Sequence, residues 1–342
     1  SDFTSWGGAL SGITNPTSIS MTANRSVTAN FTLEQRTLNI SGGGTGSGTV
    51  KVNGTTETLP YSGSFDYGVS VDLEAEPSTG SSFSNWSGSL TGSTNPTSVS
   101  MTANRTIIAS FSTNSYTIST SSSPASGGST TGGGSYDHGV AVSLTATPAT
   151  GYTFVNWTEG GSVVSVNSTY NFTATSSRTL VANFSINSYT IATSSNPASG
   201  GSTSGGGSYD HGDAVSLTAT PATGYSFVNW TEGGLVVSVN STYNCTATSS
   251  RTLVANFSID QYTLSISKGG TGDGSVRVNG IIQSLPYSGS FDYNTTVDLE
   301  ALPATGSDFV AWNGDLTGST ISKSIKITEN KNVTASFTLE QR

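Results

Sequence analysis

Few residues in this 342-residue chain could carry chemistry. The only histidines are His138 and His211, the only cysteine is Cys245, and Lys plus Arg number 12. Imidazole can ligate metals, but each histidine stands alone in about 73 residues, in a Tyr-Asp-His-Gly run where other parts of the chain have Tyr67 or Tyr293. One imidazole cannot form a site by itself, so both read as turn residues. Cys245 falls where a similar segment has Phe172, which predicts a small buried apolar substitute and not a nucleophile. Asp72, Glu74 and Glu76 alternate along one segment, and Asp298 and Glu300 repeat part of the pattern. Calcium needs six to eight oxygens from converging loops, so this row predicts a solvated strand face. The glycine runs at 42–48, 132–134 and 205–207 have no following Lys-Ser/Thr or helix start, so they read as turns or ribbons and not as phosphate loops. Residues 115–258 contain no lysine, which excludes a Lys–Asn crosslink there. No catalytic, cofactor-binding or metal-binding residues are expected.

The elements that must position these residues are strands. Ser and Thr make up about a third of the chain, Gly is 41 residues, and charged residues are only 10%. Thr, Val, Tyr and Phe favour strands, and Gly, Ser and Asn favour turns, so the composition predicts an all-β protein. Net charge is -9, with no basic patch to neutralise phosphates, which argues against nucleic-acid binding. No apolar run approaches the ~20 residues of a membrane helix. A lone cysteine excludes a disulfide framework.

Self-similarity organises the chain. Trp6, Trp86, Trp157, Trp230 and Trp312 each follow a Phe by three residues: Phe3, Phe83, Phe154, Phe227 and Phe309. Each unit closes on a second Phe: Phe31, Phe111, Phe184, Phe257 and Phe337. This predicts four repeats, at 37–113, 114–186, 187–259 and 260–342, after the C-terminal half of another at 1–36. Repeats 1 and 4 are a longer type with Asn53-Gly54 or Asn279-Gly280, the signature of a tight hairpin turn. Repeats 2 and 3 are a shorter type that replaces this hairpin with a glycine-rich turn. Residues 1–36 align without a gap on 307–342 and lack the strands that would cover their apolar face. That predicts a piece of a longer protein; the rival reading is that another subunit supplies the strands.

Within repeat 2, strands are expected at 116–120, 127–134, 140–146, 152–157, 163–174 and 179–185, with a turn at Asp137-His138-Gly139. The three-residue step from Phe154 to Trp157 breaks alternation and predicts a bulge or a strand end. The recurrent Trp could form a carbohydrate-stacking ladder, but its place beside Phe and Tyr reads more simply as core. Linkers of a few residues predict a stiff or gently articulated rod.

The run Gly128-Ser-Thr-Thr-Gly-Gly-Gly-Ser-Tyr136, the segment Val142 to Trp157 with Pro148-Ala-Thr-Gly-Tyr-Thr-Phe-Val-Asn-Trp157, and the closing Leu180-Val-Ala-Asn-Phe184 together resemble the divergent internalin B-repeat family of bacterial surface proteins. Repeats 1 and 4 depart at Ser82 and Asp308, where the pattern has Tyr. The resemblance implies compact, β-grasp-like or sandwich-like domains in tandem and an extracellular or cell-surface location. It implies a role as stalk, spacer, or building block of a filament or sheath. It brings no catalytic residues. The partners expected are neighbouring repeats and identical chains in a filament. The alternatives are a module binding glycans or surface polymers, and an accessory region of a secreted hydrolase.

Overall fold

The alternating runs fold as strands because every second residue is apolar and one face of each strand can be buried. The structure is a computed structural model that describes residues 1–341. The chain divides into two compact units, Ser1–Ser185 and Ile186–Arg342.

In the first unit, repeat 1 packs two sheets face to face. One sheet has the order Tyr61–Asp66, Gln35–Gly44, Arg105–Thr113, Ser81–Gly88. Its central pair is parallel, with Leu38 opposite Arg105 and Gly44 opposite Phe111, so the repeat's first and last strands lie side by side. The second sheet, Thr55–Glu57, Gly48–Val52, Ser70–Pro77, Thr97–Ser100, is antiparallel throughout. Leu38, Ile40, Ile107, Ala109 and Phe111 from the first sheet meet Val50, Val52, Val71, Leu73 and Val99 from the second, and all are buried.

Repeat 2 keeps this plan. Its larger sheet runs Gly134–Asp137, Ser115–Ser123, Arg178–Ile186, Tyr152–Glu159, Ser162–Ser165, and its smaller sheet runs Gly128–Thr131, Ala141–Pro148, Thr169–Thr173. The glycine-rich turn after Thr131 replaces the hairpin strand Thr55–Glu57 of the longer type. The segment expected to be one strand over 163–174 is two strands in different sheets. The Ser168 carbonyl explains the break. It accepts the Trp157 indole N–H at 3.1 Å and the Ala146 N–H at 2.9 Å, pinning the crossover between the sheets.

The second unit contains two further cores, one from Ile191 to Phe257 and one from Leu264 to Phe337. They repeat the short and long plans, again with parallel first and last strands. The only helical pieces among the described residues are two three-residue 3-10 turns, Ala125–Gly127 and Ala198–Gly200.

A bulge of the kind expected between Phe154 and Trp157 is seen at the corresponding step of the other repeats. The pairing skips one residue after the first Phe in four places: at Thr4, Ser84, Val228 and Val310. A regular strand would point residues three apart to opposite faces. The skipped residue resets the alternation, so Phe and Trp both turn inward.

Candidate functional site

The Phe-x-x-Trp…Phe pattern becomes an aromatic triad. In repeat 1, Phe83 lies 5.1 Å from Trp86 and 6.1 Å from Phe111, ring centre to ring centre. The same three-ring arrangement recurs around Phe154, Phe227, Phe309 and Phe3. Trp86, Trp157, Trp230 and Trp312 are at most 1% exposed. Each indole N–H donates to a main-chain carbonyl: Thr94, Ser168, Ser241 and Thr320, all at 3.1 Å. These rings offer no face for a sugar to stack on. Trp6 is half-buried, and Phe31 in the same half-repeat is 61% exposed.

One glycine in each full repeat makes room for the closing Phe: Gly48, Gly128, Gly201 and Gly274. A Cβ on Gly48 would lie 2.5 Å from the Phe111 ring, and one on Gly128 would lie 2.6 Å from the Phe184 ring. The sequence reading as a turn or ribbon gave the backbone shape but missed this steric reason. The signal was available, because a glycine stands at this place in every full repeat that closes on a Phe.

Asp72, Glu74 and Glu76 stand on the outward face of the strand Ser70–Pro77. Lys51 reaches Glu76 at 2.5 Å and Glu74 at 3.3 Å. The Lys51 ammonium, with the Thr56 hydroxyl, holds the Glu76 carboxyl below its usual range. In repeat 4, Arg277 pairs with Glu300 at 2.8 Å and the Ser324 hydroxyl donates to Asp298 at 2.6 Å. A groove of about 360 Å³ lies over this face and is lined by both signs of charge, including Arg277, Lys323, Asp298 and Glu300. Among the described residues, no three His, Cys, Asp or Glu side chains converge as a metal site.

The short repeats place their charges elsewhere. Arg178 forks onto Glu159, with N–O distances of 2.7–3.1 Å. It also lies over the Phe172 ring at 4.3 Å and the Tyr170 ring at 5.5 Å. The guanidinium lowers the Glu159 pKa by hydrogen bonding, and Glu232 beside Arg251 is lowered in the same way. Cys245 occupies the place of Phe172. It is a free thiol, half-buried and not buried as expected, packed against the repeat 3 core. Its side chain is too short to fill the space a Phe ring fills under the arginine.

The turn that carries His138 meets the preceding repeat. In the first unit, the Asn114 N–H donates to the Gly80 carbonyl and the His138 N–H donates to the Asn114 carbonyl, both at 2.8 Å. The His138 ring lies against Gly80 and edge-on to Tyr116, 6.0 Å between ring centres. In the second unit, Asp260, Gly224 and Tyr293 make the same two bonds at 2.8 Å, and Tyr293 lies 6.3 Å from Tyr262. His211 also takes its place on a turn. Its N–H donates to Asn187 at 2.8 Å, its ring is edge-on to Tyr189 at 6.0 Å, and its Nδ1 is buried without a hydrogen bond.

Sheets, triads and joints define an all-β protein of tandem repeats. The chain belongs to the family described as the Divergent InlB B-repeat domain, which matches residues 1–35, 39–115, 118–188, 191–261 and 262–341. No curated protein matches the chain. Among solved structures, the Bacillus anthracis TIE protein is similar over 92% of this chain and 70% of its own, at 9% identity and a TM-score of 0.41. The open conformation of the pilus adhesin SpaC from Lactobacillus rhamnosus GG is similar over 98% of this chain and 47% of its own, at 10% identity and a TM-score of 0.21. Two B repeat units of the collagen binding protein of Staphylococcus aureus align with 90% of this chain and 100% of their own, at 8% identity and a TM-score of 0.15. Similarity at this level says nothing about what the chain binds. No described helix is long and apolar enough to cross a membrane.

Proposed function

We propose that this chain is a non-enzymatic structural repeat region of a bacterial extracellular or cell-surface protein. Its units are the repeats 37–113, 114–186, 187–259 and 260–342, acting in series as a stalk or spacer. The observation that carries the reading is that each full repeat closes its own core around a buried Trp. The recurrent residues of the chain are thereby used in folding. Low charge and dense Ser/Thr leave a hydrated surface around these cores.

Assembly of identical chains into a filament or sheath is the second reading. It draws on the outermost strands Ser162–Ser165 and Leu235–Ser238, where Val163 is 57% exposed and Leu235 is 76% exposed. Exposed edge strands are templates for pairing with another chain.

Glycan binding through stacked Trp is the opposed reading, and acrylamide quenching of Trp fluorescence separates them. In a Trp6→Phe chain the four remaining indoles should be quenched several-fold less than free tryptophan. Soluble glycans should leave the emission unchanged. Free quenching, or an emission shift on adding glycan, would point to exposed binding rings.

A further inference from the structure

We infer that the glycine ending a Pro-x-x-Gly turn, Gly80 in the first unit and Gly224 in the second, is a docking socket for the planar ring of the repeat that follows, and that this contact couples the two repeats within each unit. The sockets seen are Gly80 with His138 and Gly224 with Tyr293. A Cβ built on Gly80 would lie 2.0 Å from His138 Cδ2, and one on Gly224 would lie 1.9 Å from Tyr293 Cδ1. Real Cβ contacts never come so close, so the ring occupies the space that any other residue would need. The two joints differ in direction. The first runs from a long repeat to a short one, the second from a short repeat to a long one. Both use the same parts: a left-handed glycine at φ +80°, a linker residue whose main-chain N–H donates to that glycine's carbonyl, and a ring-bearing residue whose main-chain N–H donates to the linker carbonyl. The linker is fixed from its side chain as well, by Ser82 on Asn114 at 2.7 Å and Ser226 on Asp260 at 2.6 Å. The socket therefore selects a flat ring on an Asp-ring turn, and a five-membered or a six-membered ring serves equally. This explains why His and Tyr exchange at one position without changing the fold around it.

Gly306 shows that ring contact and backbone strain are separable. It has the same conformation, φ +78°, and its carbonyl accepts the Glu340 N–H at 3.0 Å, yet a Cβ there would meet nothing within 4 Å. Gly306→Ala thus carries the strain of a left-handed alanine without a ring collision.

Amide hydrogen exchange on the full chain reads the joint directly. Gly80→Ala should speed exchange at the Asn114 and His138 amides at least tenfold more than Gly306→Ala speeds it at Glu340. Amides of the flanking cores, such as Leu73 and Leu144, should keep their protection. His138→Ala should loosen the same two amides, and His138→Tyr should keep them protected. Adding Gly80→Ala to His138→Ala should cost no more than Gly306→Ala does, since the ring is already gone. Equal effects at Gly80 and Gly306 would overturn the socket. So would full additivity with His138→Ala, or a loss of core protection as large as the loss at the joint. None of these readouts depends on where the protein resides, so the proposal and the surface-protein reading stand or fall separately.

Discussion

Single residues in this chain mostly serve packing, and the few charged pairs have a predictable pH signature. Glu159 and Glu232 have carboxyls held below the ordinary glutamate value of 4.5, first by hydrogen bonds from Arg178 and Arg251. A group with a lowered folded pKa contributes stability that is fully present above the unfolded value and is lost as pH falls through the folded one. The window therefore lies below about pH 4.5. Thermal unfolding of the wild type should lose stability from pH 5 to pH 3, and a Glu159→Gln/Glu232→Gln chain should lose less over the same range. Equal losses would remove these pairs from the account. The pairing was not legible in the sequence, because Glu159 and Arg178 are 19 residues apart and meet only when the strands Tyr152–Glu159 and Arg178–Ile186 lie in one sheet. The outward face of the acidic row was legible because alternation fixes it, whereas Phe and Trp three residues apart share a face only through a skipped residue, so their role was legible from recurrence instead.

At the scale of elements, short signals set the turns and longer ones set the sheets. Asn53 has φ +50° and Gly54 has φ +83°, as the Asn-Gly pair predicted. The Asn53 side chain adds something the dipeptide did not announce: its Oδ1 accepts the Asp72 N–H at 2.9 Å and ties the hairpin tip to the neighbouring strand. Asn53→Ala loses both this bond and a residue suited to positive φ, and should destabilise repeat 1 by about 1–2 kcal/mol in urea denaturation. Asn279→Ala should do the same in repeat 4, where Oδ1 accepts the Asp298 N–H at 2.9 Å. A change below a few tenths of a kcal/mol would mean that the turn holds without its side chain. The split of 163–174 into two strands was hidden for a related reason. Tyr170 and Phe172 alternate as a strand should, but the bonds that end one strand and start another come from Trp157 and Ala146, far off in sequence.

At the scale of the whole molecule, the central claim is that the chain is a series of repeats that each carry their own core. Single-molecule stretching of the full chain between its ends tests this most directly. Four separate cores predict four unfolding events. Each would release about 70–80 residues, which at ~3.4 Å per residue is roughly 24–27 nm of extended chain. A lower-force event from the partly exposed half-repeat would precede them. Breaking the Gly80 joint should leave the size of these steps unchanged. One or two larger steps, each spanning two repeats or more, would contradict the account: the repeats would then be halves of a shared fold and not modules in series.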